Sequence, residues 1–245
     1  MAQSAQELKR KILEDEFSNL NPMQKQAVFA TGNPLLILAG AGSGKTTVIV
    51  NKIGYLIKYG HTATDTSELS DDDFAYLERC LKNKEFRQHE RYLELMQANP
   101  IPADRILAIT FTNKAAQEMR TRIKNFGVNT NGIWAMTFHS ACVKLLRMYA
   151  DRLGYARNFT IYEDSLRLIE ATIKSLNLRT ELYPPRIVRK AISGAKTRFQ
   201  TPKQLKKDIA YGDYAAFPKI PEIYAGYRQG LREAIAFDFE DLIFE

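Results

Sequence analysis

An α/β fold with a parallel sheet is predicted for roughly the first 150 of the 245 residues, followed by a separate helical region. Two observations predict it. Three short apolar runs, at 34–39 (PLLILA), 106–111 (ILAITF) and 133–138 (IWAMTF), have the length and composition of buried strands. Each is followed by a stretch with helical spacing of apolar residues, and strand alternating with helix in this way builds a parallel sheet.

The elements follow in order. Leu8, Ile12 and Phe17 lie on one face of an N-terminal helix, whose charges exclude a secretory leader. Asn21 and Pro22 suit a helix start. After the first apolar run, Val48, Ile49, Ile53, Leu56 and Ile57 mark a helix over 46–58. Residues 61–100 read as an insertion with two amphipathic helices, marked by Phe74, Leu77, Leu81 and by Tyr92, Leu93, Met96. Its default reading is a solvated helical hairpin; a partner site or a flap competing with nucleic acid are the alternatives. Helices are expected at 113–126 and 140–153, after the second and third runs. Beyond residue 150 the strand signal fades, and 163–176, 184–196, 202–210 and 218–235 read as helices separated by prolines.

Charge follows this division. The chain carries a net charge of +7. Residues 61–104 hold ten acidic residues against five basic ones, whereas 144–232 hold eighteen basic against eight acidic. A basic block set apart in this way favours an anionic partner, nucleic acid before others. The bland reading of any one lysine is a solvated face. Cys80 and Cys142 sit in no metal-ligand spacing and suggest a reducing compartment. His61, His89 and His139 are too dispersed for a metal site. No run approaches the roughly 20 apolar residues of a membrane-spanning helix, so a cytoplasmic location is expected.

The most specific chemistry lies in Ala39-Gly40-Ala41-Gly42-Ser43-Gly44-Lys45-Thr46, followed by Thr47. It matches the phosphate loop GxxxxGK[ST], with Ala39 in place of the first glycine. Glycines let backbone N–H groups curl around a phosphate, and the following helix points its positive end at it. In such a loop Lys45 reaches the β- and γ-phosphates, and the Thr46 hydroxyl ligates Mg²⁺. ATP with magnesium is therefore the expected cofactor. Gln24, just upstream, has an amide that can read the edge of adenine, although a surface glutamine is the commoner case.

Four runs in this order, LNPMQKQAV, AGAGSGKTT, ILAITFTNKAAQEM and TFHSACVKLLR, resemble the superfamily-one DNA helicases of the UvrD, Rep and PcrA type. The resemblance covers about 18–245 apart from the insertion. It implies a RecA-like first motor lobe over 1–143, an inserted helical DNA-binding domain over 144–232, and a return into the motor lobe over 233–245 at FDFEDLI. It implies that Gln24 contacts adenine and that Lys45 and Thr46 serve the triphosphate and metal. Phe111, Thr112 and Asn113 follow a strand end, as do Thr137, Phe138 and His139; both groups resemble the family's motifs that touch single-stranded DNA. The competing reading of each aromatic is a core residue. His139 has no nucleophile partner, so the resemblance makes it a DNA or structural contact and not a general base. In the helical region Lys196 and Arg198, with Lys203, Lys206 and Lys207, are expected to face a phosphate backbone.

Hydrolysis also needs carboxylates. Asp238 follows an apolar run, but Phe239 stands where a second acid belongs, so the metal-binding acids and the second motor lobe are expected beyond Glu245. The expected parent is an ATP-dependent 3′-to-5′ DNA helicase of a DNA repair type, acting on single-stranded and duplex DNA, with this part alone inactive as a motor. An RNA helicase, a small-molecule kinase and a non-catalytic nucleic-acid-binding module are the rivals.

Overall fold

The computed structural model describes residues 4–209 and 212–245. They divide after Thr137 into two compact units.

The first unit begins with α1, Ala5–Glu16, where the Ser4 hydroxyl accepts from the Glu7 N–H at 3.2 Å and caps the helix. Its buried face is Leu8, Ile12 and Leu13. Helix α2, Pro22–Phe29, opens with a reciprocal capping box. Asn21 Oδ1 accepts from Gln24 N at 2.9 Å, and Gln24 Oε1 accepts from Asn21 N at 3.1 Å. Helix α3, Lys45–Lys58, lies against α2. The Lys52 ammonium joins them by donating to the carbonyls of Ala27 (3.2 Å), Val28 (3.0 Å) and Ala30, where α2 runs out of intrahelical partners.

The insertion follows. Helix α4 spans Asp71–Lys82 and α5 spans Glu90–Met96, as the two apolar stripes predict. It is no detached hairpin, which corrects the default reading. Leu77, Cys80, Tyr92 and Met96 share one buried core with Leu8, Ile12 and Leu13 of α1. Its base is closed where Gly60 pairs with Ala98. Gly60 has φ +69°, and a Cβ there would meet the Ala98 carbonyl oxygen at 2.2 Å, so glycine is required. Charges complete the seam: Lys9 Nζ meets Asp65 Oδ2 at 2.6 Å, and Arg87 Nη2 meets Asp15 Oδ2 at 2.8 Å. Apolar periodicity showed the helices but not that α1 would give them a surface to bury against.

Strands β1, Leu107–Thr110, and β2, Trp134–Thr137, pair in parallel, with Leu107 opposite Trp134 and Thr110 opposite Thr137. Helix α6, Asn113–Lys124, makes the crossover and packs Met119 and Ile123 against Ala108 and Ala135. The third predicted strand, 34–39, is absent as a strand. The backbone there forms no ladder among the described residues, and Leu36 and Leu38 are 81% and 87% exposed. A strand exists through its pairing, and among the described residues β1 and β2 pair only with each other.

The second unit opens with α7, Phe138–Tyr149. Strand β3, Thr160–Ile161, then leads into α8, Ser165–Ser175, α9, Pro185–Thr197, α10, Pro202–Asp208, and α11, Ile220–Glu233. Strand β4, Ala236–Phe237, and α12, Asp241–Phe244, complete it. The expected helix 202–210 ends at Asp208, and its last residue, Ala210, lies outside the described residues. The expectation of no strands after 150 is corrected by a two-residue parallel pair, Thr160 opposite Ala236 and Ile161 opposite Phe237. Strands this short carry no periodicity of their own. Helices α8, α9 and α11 enclose the core of this unit through Ile173, Val188, Ile192, Tyr224 and Tyr227.

Candidate nucleotide and nucleic-acid sites

The loop 39–44 enters α3 directly. Gly42 and Gly44 adopt φ +74° and +84°, a left-handed region that a side chain would strain. Gly44 is hemmed in as well, since a Cβ on it would lie 2.8 Å from Gln24 Nε2. Among the described residues no side chain caps α3, so the N–H groups of its first turn remain for an anion. The Lys45 ammonium folds back over the loop and donates to the carbonyls of Ala39 at 3.0 Å and Gly40 at 2.5 Å. Ser43 Oγ donates to Gly40 O at 2.8 Å. Thr46 lies exposed on the first turn. The donor set therefore fits a triphosphate with a hard cation: free backbone donors, one ammonium held only by neutral carbonyls, and one accessible hydroxyl.

Gln24 is brought to this loop from α2. Its Nε2 donates to Ser43 O at 3.2 Å while Oε1 serves the capping box. An amide carries two protons and two lone pairs, so one of each remains. A cavity of about 610 Å³ opens beside it, lined by Gln24, Ala27, Leu36, Leu38, Gly40 and Lys45 among others. The apolar run 34–39 thus forms a wall of the cavity.

Phe111 is 96% exposed at the end of β1, which removes the core reading for that ring. Thr112 Oγ1 accepts from Ala115 N at 3.1 Å and caps α6, and Asn113 begins that helix. Thr137 is buried in β2. The boundary between the units falls just after it, and Phe138 opens α7 with half its surface exposed. In the second unit His139 stacks on Phe239, ring centroids 3.9 Å apart and planes 22° apart. Phe239 keeps most of its surface exposed. In the sequence Phe239 stands only as the residue that excludes an acid pair, and its partner His139, 100 positions away, leaves no local signal.

Lys196 requires correction. It does not face a phosphate backbone, because its side chain is 1% exposed. Its ammonium lies 2.5 Å from Asp238 Oδ2 and 2.6 Å from Asp241 Oδ1. Tyr227 donates its hydroxyl to Asp238 Oδ2 at 2.8 Å. Burial, with Asp238 as a like-charged neighbour, raises the Asp241 pKa to about 6 against the pull of Lys196. Asp238 is therefore committed to a buried ion cluster and presents no solvent-facing carboxylate for a metal. On α9, Lys196 falls in register with Val188, Ile192 and Ala195, an apolar face that gave a signal of burial. Arg198, just past the end of α9, stays exposed, and among the described residues its side chain donates only to Gln200 Oε1, at 3.1 Å. Lys203, Lys206 and Lys207 are also exposed. Among the described residues no group of three His, Cys, Asp or Glu side chains is arranged to hold a metal, and no helix is long and apolar enough to cross a membrane.

The family model described as the UvrD/REP helicase N-terminal domain matches residues 20–67 and 88–245. It leaves out α1 and the whole of α4, two of the elements that share a core. The chain is 36% identical over 229 residues to the ATP-dependent DNA helicase PcrA of Bacillus subtilis, covering 92% of this chain and 25% of that protein. It is 36% identical over 228 residues to the protein of the same description from Staphylococcus epidermidis, covering 92% and 26%. For the Staphylococcus aureus counterpart the values are 35% over 229 residues, 92% and 26%. The chain spans about a quarter of the length of the curated relatives it matches.

Proposed function

Because the chain belongs to the family of the UvrD/REP helicase N-terminal domain, we propose that it is the nucleotide-binding and strand-gripping part of an ATP-dependent DNA helicase. Residues 1–143 act as the first RecA-like motor lobe and 144–232 as an inserted helical domain. Residues 233–245, which complete the second unit here, would carry the chain back to that lobe in the parent. The parent moves 3′ to 5′ on single-stranded DNA and opens duplex DNA in the cytoplasm.

One observation carries this reading: the phosphate loop, the uncapped N-terminus of α3 and Gln24 converge on one cavity. Bound there, Mg²⁺ would neutralise phosphate charge. Lys45 would exchange two carbonyl partners for phosphate oxygens, and Thr46 would offer its hydroxyl to the metal. Backbone N–H groups of 40–47 would orient the phosphates. The free donor and lone pair of Gln24 would select adenine. Phe111 would stack on a base, with Thr112 and Asn113 at the neighbouring backbone and Thr137 supporting the strand end. Phe138 and the stacked pair His139–Phe239 would offer further ring surface, and Arg198 a phosphate contact. Hydrolysis by this chain alone is slow in this account, since Asp238 and Asp241 are held by Lys196. The acids and charge-stabilising arginines come from the remainder of the parent, including its second motor lobe.

The test is steady-state ATP hydrolysis with and without single-stranded DNA, beside Lys45→Ala. Little hydrolysis together with salt-sensitive DNA binding is the expected result. DNA-stimulated hydrolysis lost in Lys45→Ala would overturn the assignment of Asp238 to structure. Failure to bind either ATP or DNA would overturn the whole reading.

A further inference from the structure

We propose that Arg186, Arg189 and Lys190 of α9 form a rail for the phosphodiester backbone of single-stranded nucleic acid. The proposal rests on the reading of this chain as a DNA-binding one, and deepens it by adding a contact that the sequence motifs do not mark. The three cations line a cavity of about 740 Å³ in the second unit, together with Tyr162 and Phe239.

Helical spacing explains the arrangement. Positions 186, 189, 190 and 193 share one face of α9, whereas Val188, Ala191, Ile192 and Ala195 bury the other. The three side chains are exposed, and among the described residues none has a hydrogen bond, ion pair or ring contact. Arg167, Arg179, Lys203, Lys206 and Lys207 of this unit also lack a side-chain partner among the described residues, but none of them lines this cavity. The other cations of the unit are engaged. Arg157 is paired with Asp151, Lys174 with Glu170, Lys219 with Glu222 and Arg228 with Glu245. Arg152 lies over Tyr149 and Arg232 over Tyr155.

The carboxylates in the same cavity do not cancel the charge. Asp238 is paired with Lys196, while Glu240 accepts from the neutral Ser193 Oγ at 2.9 Å and stays an uncompensated acid. Two acids, Glu163 and Glu240, thus line the cavity with three cations, Arg186, Arg189 and Lys190, and the balance is positive. An exposed ring at the rim and unpaired cations along one wall match a strand, in which bases and phosphates alternate, better than an isolated anion.

The test is fluorescence anisotropy of a labelled oligothymidylate across a salt series, using the whole chain. Arg186→Glu and Arg189→Glu should each weaken binding about five-fold or more and lower the log–log salt slope by about one. Arg189→Gln should give a smaller loss, which keeps the test open if charge reversal disturbs folding. Arg179→Glu changes charge equally but lies outside the cavity, and should have the smaller effect. If the α9 variants match Arg179→Glu, the rail is wrong and the DNA-binding reading stands. If the unaltered chain does not bind the oligonucleotide at low salt, the reading fails and the rail with it. An oligouridylate should respond to the α9 variants as the DNA does; an effect confined to one sugar would overturn a phosphate contact.

Discussion

Lys45 and Lys196 are both lysines that a sequence reading sends to phosphate, and the molecule treats them in opposite ways. Lys45 stands at the mouth of an exposed loop, held by two neutral carbonyls. Lys196 is buried between two carboxylates and the ring of Tyr227. The difference teaches what commits a cation. An ammonium resting on neutral acceptors can exchange them for phosphate at modest cost. One that compensates buried carboxylates cannot leave without stranding them.

The largest effect that sharpens this contrast is on stability. Lys196→Ala should cost the second unit about 3–5 kcal/mol, the range for breaking a buried pair by removing one partner. The single tryptophan, Trp134, lies in the first unit and reports on it separately. Urea unfolding should show the circular dichroism of the helical region lost early while Trp134 emission is retained. A variant as stable as the parent would break the comparison.

Lys45→Ala should leave unfolding unchanged and weaken nucleotide binding by about 1.5–3 kcal/mol for each charged hydrogen bond lost, read by calorimetry. Phe111→Ala should reduce single-strand affinity by about 1–3 kcal/mol, the worth of one stacked base. Its exposure predicts no stability change, which a thermal melt checks. Asn21→Ala removes one half of the capping box that also orients Gln24, and should cost about 1 kcal/mol in stability. Its preference for ATP over GTP should narrow at the same time.

The smallest effect is on pH dependence, and the units should differ in sign. The pKa of Asp241 is raised from the usual 3.8 to about 6, so the folded second unit holds a proton that the unfolded chain has released. Its contribution to stability is full below pH about 3.8 and is lost as pH rises through about 6. In the first unit Asp15 is held below its ordinary value by Lys84, against burial, with further help from Arg87. Burial pushes Asp65 up, but Lys9 and Ser67 outweigh it and lower it. These two contribute above pH about 3.8 and lose that contribution as pH falls through their lowered values. Hydrogen exchange of α9 and of α1 across pH 3 to 7 should show opposite slopes.

These contrasts mark what was legible in the sequence. The phosphate loop, the capping box at Asn21 and the helices of the insertion are local, set by residues within a few positions of one another. Two strands of the sheet were legible for the same reason. Pairing was not: residues 34–39 have a strand's composition and no ladder, while Thr160 and Ala236 pair from far apart in the chain. The register of Lys196 on α9 signalled its burial, but its partners, carboxylates 42 and 45 positions away, were not legible. Phe239 was legible as an aromatic but not as the partner of His139. Long-range partners decide which charges are spent on the fold and which remain for a ligand.

The most direct measurement of the central claim is a paired experiment on Lys45→Ala and Lys196→Ala, with MgATP affinity and urea stability recorded for both. A dissociation is expected: Lys45→Ala loses the nucleotide and keeps its stability, while Lys196→Ala loses stability in the helical region and keeps the nucleotide. If Lys45→Ala binds MgATP as the unaltered chain does, the loop is not the nucleotide site and the account is contradicted.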